Sequence, residues 1–330
     1  MGTLRVLVSG ASGFIGRWSV ASLVAAGHDV HAVAHASGRP IPEQLRGAAI
    51  HHTDLLKPDA IDRLLGEVKP SHLLHFAWIA TPGVYWTSPE NARWLAASQH
   101  LLPCFRDNGG ERVVMAGTCA EYDWSRAGVC DERGSPLADS AGVTGAPGAV
   151  AGAGAGGAGG AGITPYASSK LAMYRSLTEF GDAHGLSTAW GRVFFLYGPG
   201  EHPDRLVASI ILHLLSGREA LATHGRQVRD FMHVADVGRA FAALLMSHVT
   251  GPVNIGSGTR VTIAELLGEI AGQIGRPDLL RLGARTAATS EPLLLVPDVT
   301  RLREEVAWRP EFSVPEGVAD AIQWWRATRS

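Results

Sequence analysis

Lysine is nearly missing from this chain: of 29 basic residues among 330, only Lys57, Lys69 and Lys170 are not arginine. Together with 40 glycines and abundant alanine, that bias reads as GC-rich coding. An arginine here is therefore weak evidence for phosphate binding, whereas each lysine asks why arginine would not serve. Cysteine is equally scarce. Cys104, Cys119 and Cys130 are odd in number and lack close metal-type spacing, which excludes a disulfide framework and points to free thiols in a reducing compartment. Excess charge is absent too. A net charge of −2 gives no broad attraction to nucleic acid or to an anionic membrane surface, so any bound anion must be held by a local site. No basic-then-apolar leader precedes Leu4 and no apolar run reaches membrane-spanning length, so the expected location is cytoplasmic. What remains is core: 46% hydrophobic residues against 18% charged suit one large globular domain or two fused ones.

The stretch from Leu4 to Gly27 organises the rest. An apolar run, Leu4 to Val8, breaks at Ser9-Gly10, and Gly10, Gly13 and Gly16 lead into an amphipathic segment closing on Gly27. The pattern predicts strand, tight turn and helix. In that arrangement Gly10 permits the turn, Gly13 lets backbone N–H groups approach a pyrophosphate, and Gly16 lets helix and strand pack closely. Further apolar runs at 29–35, 48–51, 72–77 and 112–116 alternate with helical segments, as at 61–68. The predicted fold is therefore α/β, a doubly wound parallel sheet with helices on both faces.

A ribose-binding acid is missing as well. About 20 residues past such a turn an NAD-preferring site carries Asp or Glu, whereas a 2′-phosphate needs donors. This chain has His35, Ser37 and Arg39 there, which favours NADP(H), with NAD as the other possibility. Asp54, at a strand's carboxyl end, is a candidate for the adenine amino group or for a helix cap. His51, His52, His72 and His75 show no metal-like pattern. Trp78, Tyr85 and Trp86 fall in a Pro- and Gly-containing loop at the ligand end of the sheet and are candidates for stacking on a base or sugar. Residues 140–162 are almost entirely Gly and Ala; with little to bury, they read as a flexible insertion.

Immediately afterwards Thr164-Pro165 opens a helix running to about His184, which puts Tyr166 and Lys170 four positions apart on one face. A phenol with a pKa of about 10 is a poor acid or base at neutral pH, but a neighbouring ammonium stabilises phenolate. Lysine can also bond a cofactor ribose hydroxyl. Thr118 falls at the end of the fifth predicted strand.

These residues resemble the extended short-chain dehydrogenase/reductases, the NAD(P)-dependent epimerases, dehydratases and ketoreductases of nucleotide sugars. The resemblance rests on the glycine turn, Thr118, Tyr166-x-x-x-Lys170, the Arg192 to Pro199 and Arg229 to Val237 runs, Asn254-Ile-Gly-Ser and the closing Trp308-Arg-Pro with Trp324-Trp325. It implies a Rossmann domain over 1–195, to which 229–256 returns, and a smaller substrate-binding domain over 196–330. It implies Tyr166 as acid/base, Lys170 lowering its pKa and holding the nicotinamide ribose, and Thr118 bonding the reacting oxygen. It places Arg229, and more weakly Arg205, on the nucleotide diphosphate, the alternative for Arg229 being an ion pair with Asp230 or Asp236. Ser12, Phe14, Ile15, Leu55, Phe76, Ala77, Val193 and Phe194 join the glycines as candidate cofactor contacts. A nucleotide-sugar substrate and a homodimer follow from the resemblance alone.

Similar 4,6-dehydratases carry an acid within two positions of the threonine. Here those positions are Cys119 and Ala120; Glu121 comes one later and on an extended chain would face away. Dehydration is thus disfavoured. The runs around Thr118 and Tyr85 look most like 4-ketoreductases of deoxysugar pathways, so the expected reaction is NADPH-dependent reduction of a nucleotide-linked 4-keto-6-deoxyhexose. The alternatives are a 4-epimerase with tightly held NAD and a cofactor-sensing protein without catalysis.

Overall fold

The computed structural model describes residues 2–34, 40–126, 128–139, 163–288 and 291–328. His35, Ser37 and Arg39, and the insertion at 140–162, lie outside the described residues. Seven parallel strands form the main sheet: β1 (Arg5–Ser9), β2 (Asp29–Ala34), β3 (Ala49–His52), β4 (His72–His75), β5 (Arg112–Thr118), β6 (Ser187–Val193) and β7 (Gly251–Ile255). Their spatial order is β3-β2-β1-β4-β5-β6-β7, so the direction of winding reverses between β1 and β4, and ligands of such sheets bind beyond the strand ends at that point. Val6, Leu7 and Val8 are fully buried, as expected of a strand covered on both faces.

Four helices connect the first strands: α1 (Gly16–Ala25), α2 (Pro58–Val68), α3 (Glu90–Asp107) and α4 (Pro165–His184). Helix α4 starts as the sequence implies, with Pro165 in its first turn and the Thr164 hydroxyl accepting from Ala167 N at 3.2 Å. After β6 the chain forms α5 (Leu206–Leu215), α6 (Val234–Met246), α7 (Ile263–Ile274) and α8 (Val314–Thr328). Helices α5, α7 and α8 share a separate apolar core built on Ile211, Leu266, Leu267 and Val318. A second sheet takes the short strands Val261–Thr262, Val228–Arg229, Leu294–Pro297 and Val129–Cys130, in that order.

The two layers interlace. Helix α6 packs on α1, where Ser19 donates to Gly238 O at 3.1 Å, and β7 completes the main sheet beside β6. The return expected from Arg229 begins instead at Val234, because Val228–Arg229 pairs in the second sheet and Phe231–His233 pairs with Phe195–Tyr197. Conversely Val129–Cys130, from within the first 195 residues, belongs to the second sheet.

Candidate active site

At the winding reversal the glycine turn is built as its spacing implies. Gly10 has φ +64°, and a Cβ there would lie 2.8 Å from Ala77 N; at Gly16 a Cβ would lie 2.3 Å from Gly10 O, so neither position admits a side chain. Ser12, Phe14 and Ile15 are half-buried around an exposed Gly13. Helix α1 has no acid in its first turn and no side-chain cap, so no side chain of its own competes with an anion for its N-terminus. Arg17, not anticipated, donates to Gly13 O at 2.9 Å and Ser12 O at 3.5 Å and braces the turn.

Behind the turn runs a buried polar chain. Ser9 Oγ accepts from Phe76 N at 3.1 Å and Ala77 N at 3.3 Å, so its own proton goes to His75 Nδ1 at 2.7 Å, and His75 Nε2 donates to Ser98 Oγ at 2.9 Å. His75 is therefore neutral. Burial, and then the Lys170 charge, lower its pKa to about 3. Its role is structural, tying β1 to β4 where Phe76 and Ala77 emerge. Leu55, Val193 and Phe194 are buried at neighbouring strand ends. Asp54 is exposed; its carboxylate accepts from Leu56 N at 3.1 Å and pairs with Lys57 at 3.7 Å. Helix α2 begins after Lys57 without a side-chain cap, so Asp54 shapes the preceding turn and does not cap the helix.

Thr118 ends β5, and Tyr166 and Lys170 come to that strand end from α4. The Tyr166 phenol is pushed above its ordinary pKa by burial and then by Tyr85, while a hydrogen bond with Thr118 pulls it back down. Lys170 is directed elsewhere: Nζ donates to Ala116 O at 2.9 Å and stands 3.9 Å from the centre of the Trp78 ring. Burial lowers its pKa to about 7, against the pull of Glu121.

The aromatic loop surrounds this pair. Tyr85 meets the Tyr166 ring edge to face at 4.8 Å, and Trp86 does so at 5.7 Å. Tyr166 N also donates to Trp86 O at 3.2 Å. Arg205, just before α5, lies 5.4 Å from the Tyr85 ring centre. Trp78, Tyr85 and Trp86 are thus brought to the site, but with ring faces or edges turned to Lys170 and Tyr166. Trp124, which Trp86 meets at 6.5 Å, was not anticipated; neither was Asn91, which reads in sequence as an ordinary helix-start residue.

Two assignments differ from expectation. Residues Cys119–Glu121 form a 3-10 turn, not an extended chain. The turn folds Glu121 back into full burial, where its carboxylate accepts from Thr118 N at 2.8 Å, Trp190 Nε1 at 2.9 Å and Arg192 Nε at 2.8 Å. Arg229 is fully buried and pairs with Glu291 at 3.0 Å. A desolvated guanidinium needs a carboxylate, and Glu291 supplies it where a diphosphate contact had been expected. Neither Asp230 nor Asp236 is its partner: Asp230 accepts from Ser257 and Gly258, Asp236 from Glu311 and Phe312. Among the described residues no cluster suits a metal ion.

The profile of the NAD-dependent epimerase/dehydratase family matches residues 6–256. The UDP-glucose 4-epimerase of Mycolicibacterium smegmatis is 28% identical over 98% of this chain and 99% of its own length. The dTDP-glucose 4,6-dehydratase of an Actinoplanes species is 25% identical over 99% of both. Among solved structures, the Thermus thermophilus UDP-glucose 4-epimerase complexed with NAD is similar with a TM-score of 0.76 and 25% identity, over 98% of this chain and 99% of that one. With the glycine turn at the winding reversal and Thr118, Tyr166 and Lys170 gathered beside it, the chain belongs to the NAD-dependent epimerase/dehydratase family of extended short-chain dehydrogenase/reductase enzymes.

Proposed function

We propose that the protein carries out hydride transfer at C4 of a nucleotide-linked hexose without elimination of water, in the sense of reducing a 4-keto-6-deoxy sugar with NADPH. The observation that carries this is the placement of Glu121. The Glu121 carboxylate, three positions after Thr118, is taken up by Trp190, Arg192 and the Thr118 amide, so among the described residues it is not free to move protons at C5 and C6.

The glycine turn suits a dinucleotide. The open N-terminus of α1 and the side-chain-free glycine turn accommodate a pyrophosphate, and Lys170, with one of its three N–H groups on Ala116 O, retains donors for a ribose hydroxyl. When bound, the nicotinamide supplies the hydride. Tyr166 gives the proton to the C4 oxygen, and Thr118, near enough to that phenol to lower its pKa, orients the oxygen and steadies the charge that develops on it. Tyr85 and Trp86 fix the phenol's direction and exclude water from it. Arg205, stacked on Tyr85, would meet the substrate's phosphates. The preference for NADPH rests on His35, Ser37 and Arg39 and on the missing acid among them.

A second reading, a 4-epimerase that retains NAD, is favoured by the likeness to UDP-glucose 4-epimerases. Incubation with NADPH and a panel of dTDP-, CDP- and GDP-4-keto-6-deoxy sugars, followed by loss of absorbance, separates the two. Oxidation of NADPH supports the reductase. Interconversion of UDP- or GDP-hexoses without NADPH consumption replaces it with the epimerase.

A further inference from the structure

We infer that Asn91 is a positioning residue that aims both catalytic side chains through their aromatic neighbours, holding Trp78 against Lys170 and the Tyr85 segment against Tyr166. The inference rests on reading Lys170 and Tyr166 as the working pair. Asn91 is 1% exposed, near the start of α3. Its Oδ1 accepts from Trp78 Nε1 at 2.9 Å, and its Nδ2 donates to Tyr85 O at 2.7 Å and Ser88 O at 2.9 Å. The amide orientation is fixed by these partners, since a flipped amide would set N–H against N–H and oxygen against two carbonyls. Asp cannot donate, Ser has one donor, and Gln is a methylene too long.

Nor is Asn91 serving the helix. A capping side chain accepts from the helix's first N–H groups, whereas the Asn91 oxygen takes a proton from an indole and its nitrogen reaches back to loop carbonyls. The first N–H of helix α3, that of Glu90, is met instead by Ser88 Oγ at 3.2 Å.

The two arms reach the two catalytic groups. Fastened at its N–H edge, the Trp78 indole presents its face to Lys170 Nζ at 3.9 Å. A buried ammonium whose hydrogen bond goes to Ala116 O gains from that face a second favourable neighbour that leaves its remaining donors unspent. On the other arm, the Tyr85 backbone is pinned while its ring meets Tyr166 at 4.8 Å, so the phenol's direction follows the loop. One carboxamide thus sets the register between α4 and the aromatic loop.

The scarcity of lysine makes the test direct. In protein labelled with 13C-lysine, three ε-methylene signals are expected, and the Trp78 ring current should displace that of Lys170 upfield of Lys57 and Lys69. In Asn91→Ala the displaced signal should move towards the other two, and kcat should fall on the order of ten- to a hundredfold with cofactor affinity little changed. Trp78→Phe keeps a ring but lacks the N–H and should lose part of the same rate. The double variant should then be no slower than the worse single one, because both act along one path. A folded Asn91→Ala with the Lys170 signal unmoved, or full additivity of the two rate losses, overturns the inference. If Asn91→Ala fails to fold, the Lys170 signal in Trp78→Phe decides: unmoved, it overturns the inference. The lysine signal is read without turnover, so a wrong choice of substrate shows as absent activity beside an intact upfield signal.

Discussion

Glu121 and Arg192 form an ion pair of 2.8 Å with side chains 0% and 1% exposed, directly behind the threonine that ends β5. The Glu121 carboxylate also accepts from Thr118 N, so the active-site edge of the sheet is fastened to a charge pair within the core.

Arg192→Met should therefore destabilise the fold by about 3–5 kcal/mol, since it strands a buried carboxylate. Urea unfolding followed by circular dichroism measures it. A loss below about 1 kcal/mol would mean that Trp190 and the Thr118 amide suffice to hold Glu121.

Tyr166→Phe should lower turnover on the order of a hundred- to ten-thousandfold, the usual scale for a lost general acid, while cofactor binding by fluorescence titration stays near wild type. Unchanged turnover would remove Tyr166 from the chemistry and revive the non-catalytic, cofactor-sensing alternative.

Lys170 gives stability a pH dependence of known sign. Burial holds its folded pKa at about 7, below the 10.5 of a free side chain, so between those values the unfolded chain binds more protons than the folded one. Stability from this residue must rise with pH across that window and be lowest below pH 7, where the ammonium is buried in full. Urea midpoints from pH 6.5 to 9.5 should climb more in wild type than in Lys170→Met. Parallel curves would contradict the burial of this charge.

Arg39→Ala should weaken NADPH about tenfold or more, the value of one charge-assisted contact to a phosphate, and leave NADH within a factor of about two. Equal losses for the two cofactors would show that Arg39 does not read the 2′-phosphate.

What the sequence disclosed depended on the range of each interaction. The glycine turn was legible because Gly10 is demanded by its own positive φ and Gly16 by the Gly10 carbonyl six positions back, and Tyr166 with Lys170 because one helical turn joins them. Glu121 was misplaced by assuming extended backbone where three residues form a 3-10 turn whose reward, Trp190 and Arg192, lies about seventy positions on. Arg229 drew its partner Glu291 from 62 positions away, and no local pattern announces such a pair. The aromatic loop could be expected at the ligand end of the sheet, but which ring faces Lys170 and which faces Tyr166 depends on Asn91 orienting an indole, and spacing carries no information about ring direction.

The late arrival of β7 has a consequence for biogenesis. Strand β6 is synthesised with β5 on one side and nothing on the other, until residues 251–255 emerge to pair with it. Until then the nascent chain carries an open parallel edge, the kind of surface that recruits foreign strands. A protein stopped after residue 195 would keep that edge permanently and would also lack helix α6 over α1, so the nucleotide-binding half should not be recoverable as a soluble fragment, and the whole chain should unfold as one cooperative unit.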